Sequence, residues 1–307
     1  MIITTSISRF HKVFVVCILS LPTFGQANQT ILQMHVSFLV SGPARSYDNL
    51  DRLNYVAEYI FEDLKKHCNT VYYQEFTVQG VKYKNVIGSI GYKNSERIIV
   101  GAHYDVCGSQ AGADDNASGV AGLLETARLM KGKDIGKRYD FVAFTLEEPP
   151  FFRSTNMGSY MHAKSLIDEK ADVKGMVCLE MIGFYSSEEN SQSYPMKFLR
   201  LFYGKKGDFI TVVNRFSQGK FGRSFNRKMK DKSAIEVKRF LGPKALKGID
   251  FSDHMNYWKM GIDAVMITDT SFYRNPNYHQ KTDTMDTLDF QKMTQVVDGV
   301  YNALIAL

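Results

Sequence analysis

Cysteine is scarce in this chain, long apolar runs are absent, and no internal repeat, low-complexity tract or Pro/Ser-rich linker divides it. Four cysteines occur in 307 residues, and none has a second cysteine at zinc-finger or redox-motif spacing, which argues against either device. The main apolar run, Val13 to Leu21, is too short to span a bilayer comfortably. Arg9, His11 and Lys12 precede it, and small residues follow at Thr23-Phe24-Gly25 or Gly25-Gln26-Ala27. That layout predicts a secretory leader over residues 1–27, removed on export to a periplasmic or extracellular location. No lipobox precedes Cys17, which argues against a lipoprotein. Residues 28–307 then form a single expected domain with Cys68, Cys107 and Cys178, an odd set read as free thiols.

What is present is ordinary in bulk and uneven in detail. Apolar residues make up 44% and charged residues 23%, as in a soluble globular protein. The net charge of +6 hides a basic segment, with 15 Lys/Arg against 3 Asp/Glu between Met196 and Lys247. The remainder is therefore acidic overall, and an acidic cleft is expected beside a basic surface. Phe209, Phe216, Phe221 and Phe225 interleave with the basic residues, but without a nucleic-acid recognition motif or regular spacing. The segment reads as half-buried structure. No nucleic-acid partner is expected, and no stable membrane association once the leader is gone.

Ser46 to His67 carries Leu50, Leu53, Val56, Ile60 and Leu64 at helical spacing. Val71–Val78 and Val81–Ile90 alternate around Gln79-Gly80, which predicts a hairpin. Strands and helices then alternate: Arg97–His103, Ala117–Met130, Tyr139–Leu146, Met157–Ile167 and Gly175–Glu180. After an ambiguous basic stretch with a strand at Phe209–Val213, the pattern predicts a helix at Ser252–Met260. A strand at Ala264–Ile267 and a helix at Leu288–Ala306 end the chain. Near-continuous apolar strands between helices predict an α/β fold with a mixed, centrally parallel sheet covered on both faces. Ligands in such sheets gather beyond the carboxyl ends of the strands.

Polar residues stand at each of those ends. His103, Asp105 and the pair Asp114-Asp115 follow one strand, and Glu147-Glu148 follow the next; Glu180 ends the third, and Tyr278-His279 lie beyond the last. Singly, each has a plain structural reading: a satisfied histidine, a solvated acid pair, or a helix N-cap. Together at one sheet edge they have the donor types of a divalent-cation site. Two ions about 3.5–4 Å apart need a bridging carboxylate and terminal ligands for each. His103 and Glu180 are expected to serve one ion, Glu148 and His279 the other, and Asp114 the bridge. Asp105, two residues after His103, is placed to orient its imidazole. Glu147 is left free as general base and acid, and Tyr278 is placed to donate to an oxyanion.

These residues resemble the co-catalytic zinc aminopeptidase family, whose clan includes glutamate carboxypeptidase-type enzymes and glutaminyl cyclases. The matching strings are His103-Tyr-Asp105, Gly112-Ala-Asp-Asp-Asn-Ala-Ser-Gly119, Leu146-Glu-Glu148, Leu179-Glu-Met-Ile-Gly183 and Tyr278-His279 through Asp283-Thr284. Ser252-Asp253-His254 and Met266-Ile-Thr-Asp-Thr270 resemble connecting segments of that family. The resemblance implies a zinc exopeptidase fold, two zinc ions per chain and peptide substrates. It also implies the roles above and a cis peptide joining Asp114 to Asp115. Two departures stand out: Glu180 occupies a position that is Asp in many members, and Pro149-Pro150-Phe151-Phe152 replaces a Gly-rich continuation. The apolar stretch is expected at the substrate rim. An exported metallo-aminopeptidase is the leading expectation; a cyclase or a carboxypeptidase/dipeptidase-type hydrolase is the alternative. Clan cyclases use one zinc and lack the paired Asp loop. A carboxypeptidase would need a cation for the terminal carboxylate, for which Lys205, Lys206 or Arg215 are candidates.

Overall fold

The computed structural model describes residues 26–93, 95–133, 136–216, 219–243 and 245–307. The leader expected over residues 1–27 lies outside them except for its last two positions.

Strands β1 (Thr70–Val78) and β2 (Val81–Ile90) pair antiparallel, from Thr70 opposite Ser89 to Val78 opposite Val81. Gln79 and Gly80 turn the hairpin with φ of 50° and 81°, the double left-handed geometry that suits the twist of two-residue loops. The centre of the sheet is a parallel quartet: β3 (Arg97–His103), β4 (Arg138–Phe144), β5 (Val173–Leu179) and β8 (Ala264–Thr268). Strands β6 (Ile210–Arg215) and β7 (Val237–Gly242) pair parallel with each other, and β6 runs antiparallel to β8. The order across the eight strands is β1-β2-β4-β3-β5-β8-β6-β7.

Side-chain alternation along the strands divides the core into two layers. Ile98, Val100, Val177, Leu179, Val265 and Ile267 point to one face. There they meet helices α1 (Gln29–Val40), α2 (Leu50–Lys65), α3 (Gly119–Met130), α6 (Lys220–Lys232) and α8 (Phe290–Ile305). Ile99, Val142, Met176, Cys178, Ala264 and Met266 point to the other, against α4 (Gly158–Asp168) and α7 (His254–Lys259). The expected α/β layering and parallel centre are therefore observed. Several elements were not anticipated, α1, α6 and β7 the longest of them. Helix α1 is capped by Asn28, whose side chain accepts from the backbone of Thr30 and Ile31. Helix α6 buries Phe221, Phe225 and Met229, spaced four apart, and turns most of its basic residues outward. Strand β7 is an edge strand carrying Lys238 and Arg239, a common way of blunting an exposed edge. In α6 and β7 the density of Lys and Arg masks the apolar spacing.

The layer under α4 and α7 holds a buried imidazole. His162 Nδ1 lies 2.6 Å from the Tyr257 hydroxyl, and desolvation pulls its pKa down to about 4. In the unfolded chain this group titrates near 6.5, so the stability it contributes is complete above that pH and is lost as pH falls toward 4. Urea titrations of wild type and His162→Gln should give a difference in unfolding free energy that is constant above pH 6.5. It should shrink by roughly 3 kcal/mol on approach to pH 4. A pH-independent difference would show that the imidazole takes up its proton at the same pH in the folded and unfolded chains.

Candidate metal centre

All four parallel strands end at one edge, and each delivers part of the cluster found there. His103 is the last residue of β3 and is 1% exposed. Asp105 follows it and accepts hydrogen bonds from the backbone N–H groups of both Glu147 (3.2 Å) and Glu148 (3.1 Å). One carboxylate thus fixes the turn beyond β4 that carries two others. Leu146 there, Met181 after Glu180, and His279 all have positive φ, of 60°, 50° and 56°. These residues accept the left-handed conformation at a cost of order 1–2 kcal/mol each, and the chain turns sharply beside each functional side chain.

The acidic loop, Ala113–Ser118, is a kinked turn feeding α3, with non-helical backbone at Asp115 and Asn116. Glycine at both of its ends is required by space. A Cβ at Gly112, where φ is +62°, would stand 2.3 Å from the Asp115 carbonyl oxygen. One at Gly119 would stand 2.3 Å from Asn116 Oδ1 and 2.6 Å from the Leu179 carbonyl oxygen. Asn116 ties the loop to the end of β5, donating to Leu179 O (2.9 Å) and accepting from Met181 N (3.0 Å). Asp283, more than 160 residues away in sequence, accepts from the backbone N–H groups of Asp114 (2.9 Å) and Asp115 (3.0 Å). Arg45, 1% exposed, donates to the carbonyls of Ala111 and Gly112. Sequence reading assigned no role to Arg45 or Asn116 and gave Asp283 only a place in a motif, because each acts through backbone contacts distant in the chain.

The side chains divide differently from the expectation at one position. Asp115, not Asp114, stands between the two histidines. Its Oδ1 is 3.3 Å from His103 Nε2, and its Oδ2 is 3.2 Å from His279 Nε2. Glu180 Oε2 is 3.3 Å from His103 Nε2, and Glu148 Oε2 is 3.2 Å from His279 Nε2. Asp114 points away: its carboxylate accepts from Gly183 N (2.9 Å), Asn275 Nδ2 (2.7 Å) and Ser118 Oγ (3.2 Å). The cis peptide joins Asp115 to Asn116, one bond later than expected. Two adjacent acids at the head of a helix look alike in sequence; the partners that separate them come from other elements.

Electrostatics separate them too. Burial alone would raise the pKa of Asp115, but the two imidazoles outweigh it and hold this carboxyl below the usual range. Burial and the nearby Asp269 push Asp114 well above it. Glu147 is raised strongly by burial, with Glu148 and Glu180 adding to the effect against His103. Burial and then Asp115 lift Glu148 to about 7. Burial lowers the affinity of His279 for a proton, yet Asp115 and Glu148 bring its pKa up to about 10. Opposite-sign shifts on neighbouring acids are what active sites use to separate roles.

Glu147 Oε2 lies 4.0 Å from His103 Nε2, and Glu147 makes a close donor group with His103 and Glu148 that leaves out Asp115. Tyr278 packs against His279 with ring centroids 3.9 Å apart and lines the adjoining cavity. Ser252 donates to Glu180 Oε2 at 2.6 Å, and buried Asp253 beside it is held near 7, chiefly by desolvation. Cys107 contributes a sulfur within 4.8 Å of donor atoms from Glu148 and His279.

The donor set fits divalent cations. His103, Asp115 and Glu180 offer three donor atoms within 4.8 Å of one another. Among the described residues Glu148 Oε1 is buried without a hydrogen-bond partner, and His279 Nε2 points at the carboxylates of Asp115 and Glu148. Four buried carboxylates face two imidazoles, and nitrogen with carboxylate oxygen is a donor set zinc accepts. From this cluster a cavity of about 270 Å³ runs into an apolar recess that includes Phe152, Phe209, Phe240, Phe251, Phe272 and Met266. Pro149 and Phe152 line it, as expected of the apolar stretch, whereas Phe151 is buried against Tyr47 and Tyr83.

Residues 85–304 match the family model described as peptidase family M28. The chain belongs to that family. It is 46% identical over 268 residues to the uncharacterized protein YfbL of Escherichia coli (strain K12), covering 85% of this chain and 82% of that one. It is 26% identical over 227 residues to aminopeptidase YwaD of Bacillus subtilis, covering 72% of this chain but 44% of that protein, so it spans less than half of YwaD's length. The fold is similar to that of LapB from Legionella pneumophila, with TM-score 0.72 and 20% identity over 92% of this chain and 73% of LapB. It is also similar to a glutaminyl cyclase from Tannerella forsythia, with TM-score 0.67 and 19% identity over 92% and 100%. Membership supports a peptidase and peptide substrates.

Exchanging each acid for its amide should separate their roles. Asp115→Asn should lose bound metal, measured by elemental analysis after dialysis. Asp114→Asn should retain it while losing about 1–3 kcal/mol of stability from its hydrogen-bond network. Equal metal loss in both would return the bridging role to either acid.

Proposed function

We infer that this member of peptidase family M28 is an aminopeptidase that holds two divalent cations, best fitted by zinc, and removes N-terminal residues with large apolar side chains. The observation that carries this reading is the pair of imidazoles sharing Asp115, each with its own glutamate: His103 with Glu180, and His279 with Glu148. Such a set could hold two cations, one with His103 and Glu180 and one with His279 and Glu148, with Asp115 facing both, where a one-metal cyclase needs one. When bound, the cations supply Lewis acidity toward a peptide carbonyl and lower the pKa of a water toward about 7.

The chain's own residues account for the rest. Glu147, outside the ligand set and held in place through its backbone by Asp105, takes the proton of the attacking water and returns it to the leaving amine as the C–N bond breaks. The Tyr278 hydroxyl donates to the oxygen that gains charge on the carbonyl. Carboxylates gathered at one end of the cavity favour an α-ammonium group, and the apolar recess takes the side chain beside it.

The carboxypeptidase reading loses its candidate cations. Lys205, Lys206 and Arg215 do not line the cavity; Lys247 does, with its ammonium 5.4 Å from the Phe272 ring centroid. Export follows from reading residues 1–27 as a leader. Among the described residues no helix is long and apolar enough to cross a membrane.

The mature chain should bind two metals and hydrolyse leucyl and phenylalanyl anilides at least tenfold better than glycyl anilide, with N-acetylated substrates inert. Cleavage from the carboxyl end, or one metal with cyclisation of N-terminal glutamine, would replace this reading. Glu147→Ala should keep both metals and lose about 10²–10⁴ in kcat; metal loss in that variant would make Glu147 a ligand.

A further inference from the structure

Residues 196–206, Met-Lys-Phe-Leu-Arg-Leu-Phe-Tyr-Gly-Lys-Lys, form a 3₁₀ turn (Lys197–Leu199) running into the short helix α5 (Arg200–Tyr203). Leu199 and Tyr203, four residues apart, anchor it inward. Leu199 is buried; the Tyr203 hydroxyl donates to Arg239 O at 3.0 Å, and its ring packs against Tyr194 and Phe240. Phe198, Leu201 and Phe202 have the i, i+3, i+4 spacing of one helical face, and that face looks into solvent. Their exposures are 54%, 85% and 76%, with Met196 beside them at 39%. A single exposed leucine needs no explanation, but an outward helical face in water is normally polar. Three large apolar side chains on such a face mark a contact surface.

Charge identifies the partner. Lys197, Arg200, Lys205 and Lys206 surround the apolar face, and no acid occurs within 196–206. Arg200 donates to Asn190 Oδ1, and Lys206 pairs with Glu189 at 3.5 Å. Among the described residues Lys197 and Lys205 form no ion pair. A second copy docked through the same face by a two-fold axis would set these cations against each other. An anionic bilayer surface accepts both features: apolar side chains enter the acyl boundary, and lysines meet the headgroups. We propose that, contrary to the expectation of no stable membrane association, residues 196–206 are an interfacial tip that docks this protein, without spanning, on anionic phospholipid. Tyr203 within the tip and Tyr194 and Pro195 just before it line the cavity, so docking holds the cavity wall at the lipid surface.

The test is sedimentation of the purified mature chain with phosphatidylcholine vesicles, with and without phosphatidylglycerol, at low and high salt. Wild type should bind the phosphatidylglycerol vesicles at least about tenfold more strongly, and salt should weaken that preference. Leu201→Ser with Phe202→Ser should cut binding by about tenfold or more, and Lys197→Glu with Lys205→Glu should abolish the lipid preference. Both variants should keep the wild-type thermal unfolding curve, because these side chains lie outside the core and the cavity lining. The reading is overturned if wild type stays in the supernatant, or if the variants bind like wild type, which would shift the contact to another basic surface such as α6. It is also overturned if light scattering shows a wild-type dimer that Leu201→Ser with Phe202→Ser converts to monomer. Lipid binding is read without turnover, so this outcome is independent of the proposed catalytic activity.

Discussion

Burying four carboxylates within a few ångströms of one another is the constraint around which this sheet edge is built. Asp115, Glu147, Glu148 and Glu180 are each 6% exposed or less, and only two imidazoles, His103 and His279, stand among them. Like charges removed from water repel strongly and are costly unless neutralised or protonated. The pKa directions express that conflict: Glu147, Glu148 and Glu180 are driven up by burial, while both imidazoles are driven up by the acids. Two imidazoles are fewer than the four carboxylates they face. The proposed metal pair resolves the imbalance by placing positive charge where the donor atoms already converge.

Holding such a cluster together requires hydrogen-bond donors that add no negative charge of their own. The backbone supplies most of them. Asp105 grips the two amides ahead of the glutamates; Asp283 grips the two amides of the acidic loop; Asn116 and Ser118 bind the amides of Met181 and Ile182 just beyond Glu180. The ends of β3, β4 and β5 and the final loop are thus cross-tied independently of any cation. This separates the two neighbouring aspartates physically. Asp114 belongs to the scaffold, its carboxyl pushed up by burial and by Asp269, and Asp115 belongs to the cluster, its carboxyl held low by two imidazoles.

The strand-end rule made the site legible before any coordinates, because parallel strands in a covered sheet put their carboxyl ends on one edge whatever the details of packing. His103, Glu147, Glu148, Glu180 and His279 converge for that reason. The choice between Asp114 and Asp115 was not legible. Both precede the same helix, and only Asn275, Gly183 and the two histidines, all distant in sequence, distinguish them. The same limit hid Arg45, whose guanidinium acts on carbonyls 66 and 67 residues away. Helix α1 escaped notice beside an apolar leader, and α6 and β7 escaped because Lys and Arg crowd their apolar spacing.

The least legible segment shapes the cavity. Strands β6 and β7 and the turns before and after them, attached to the outer side of β8, contribute Tyr203, Phe209, Val213, Phe240 and Ile249 to its wall. None of the proposed metal donors comes from this part of the chain. The parallel quartet therefore carries the proposed chemistry, while the appended strands carry the recess that receives a side chain. Such a division lets residues in the appendage change which substrates fit without replacing any member of the carboxylate cluster, since the appendage joins the quartet through β6 alongside β8 and supplies none of those carboxylates. It also explains why the appendage can be basic and carry exposed apolar side chains when the site itself is acidic: the sheet keeps the two electrostatic environments on separate strands.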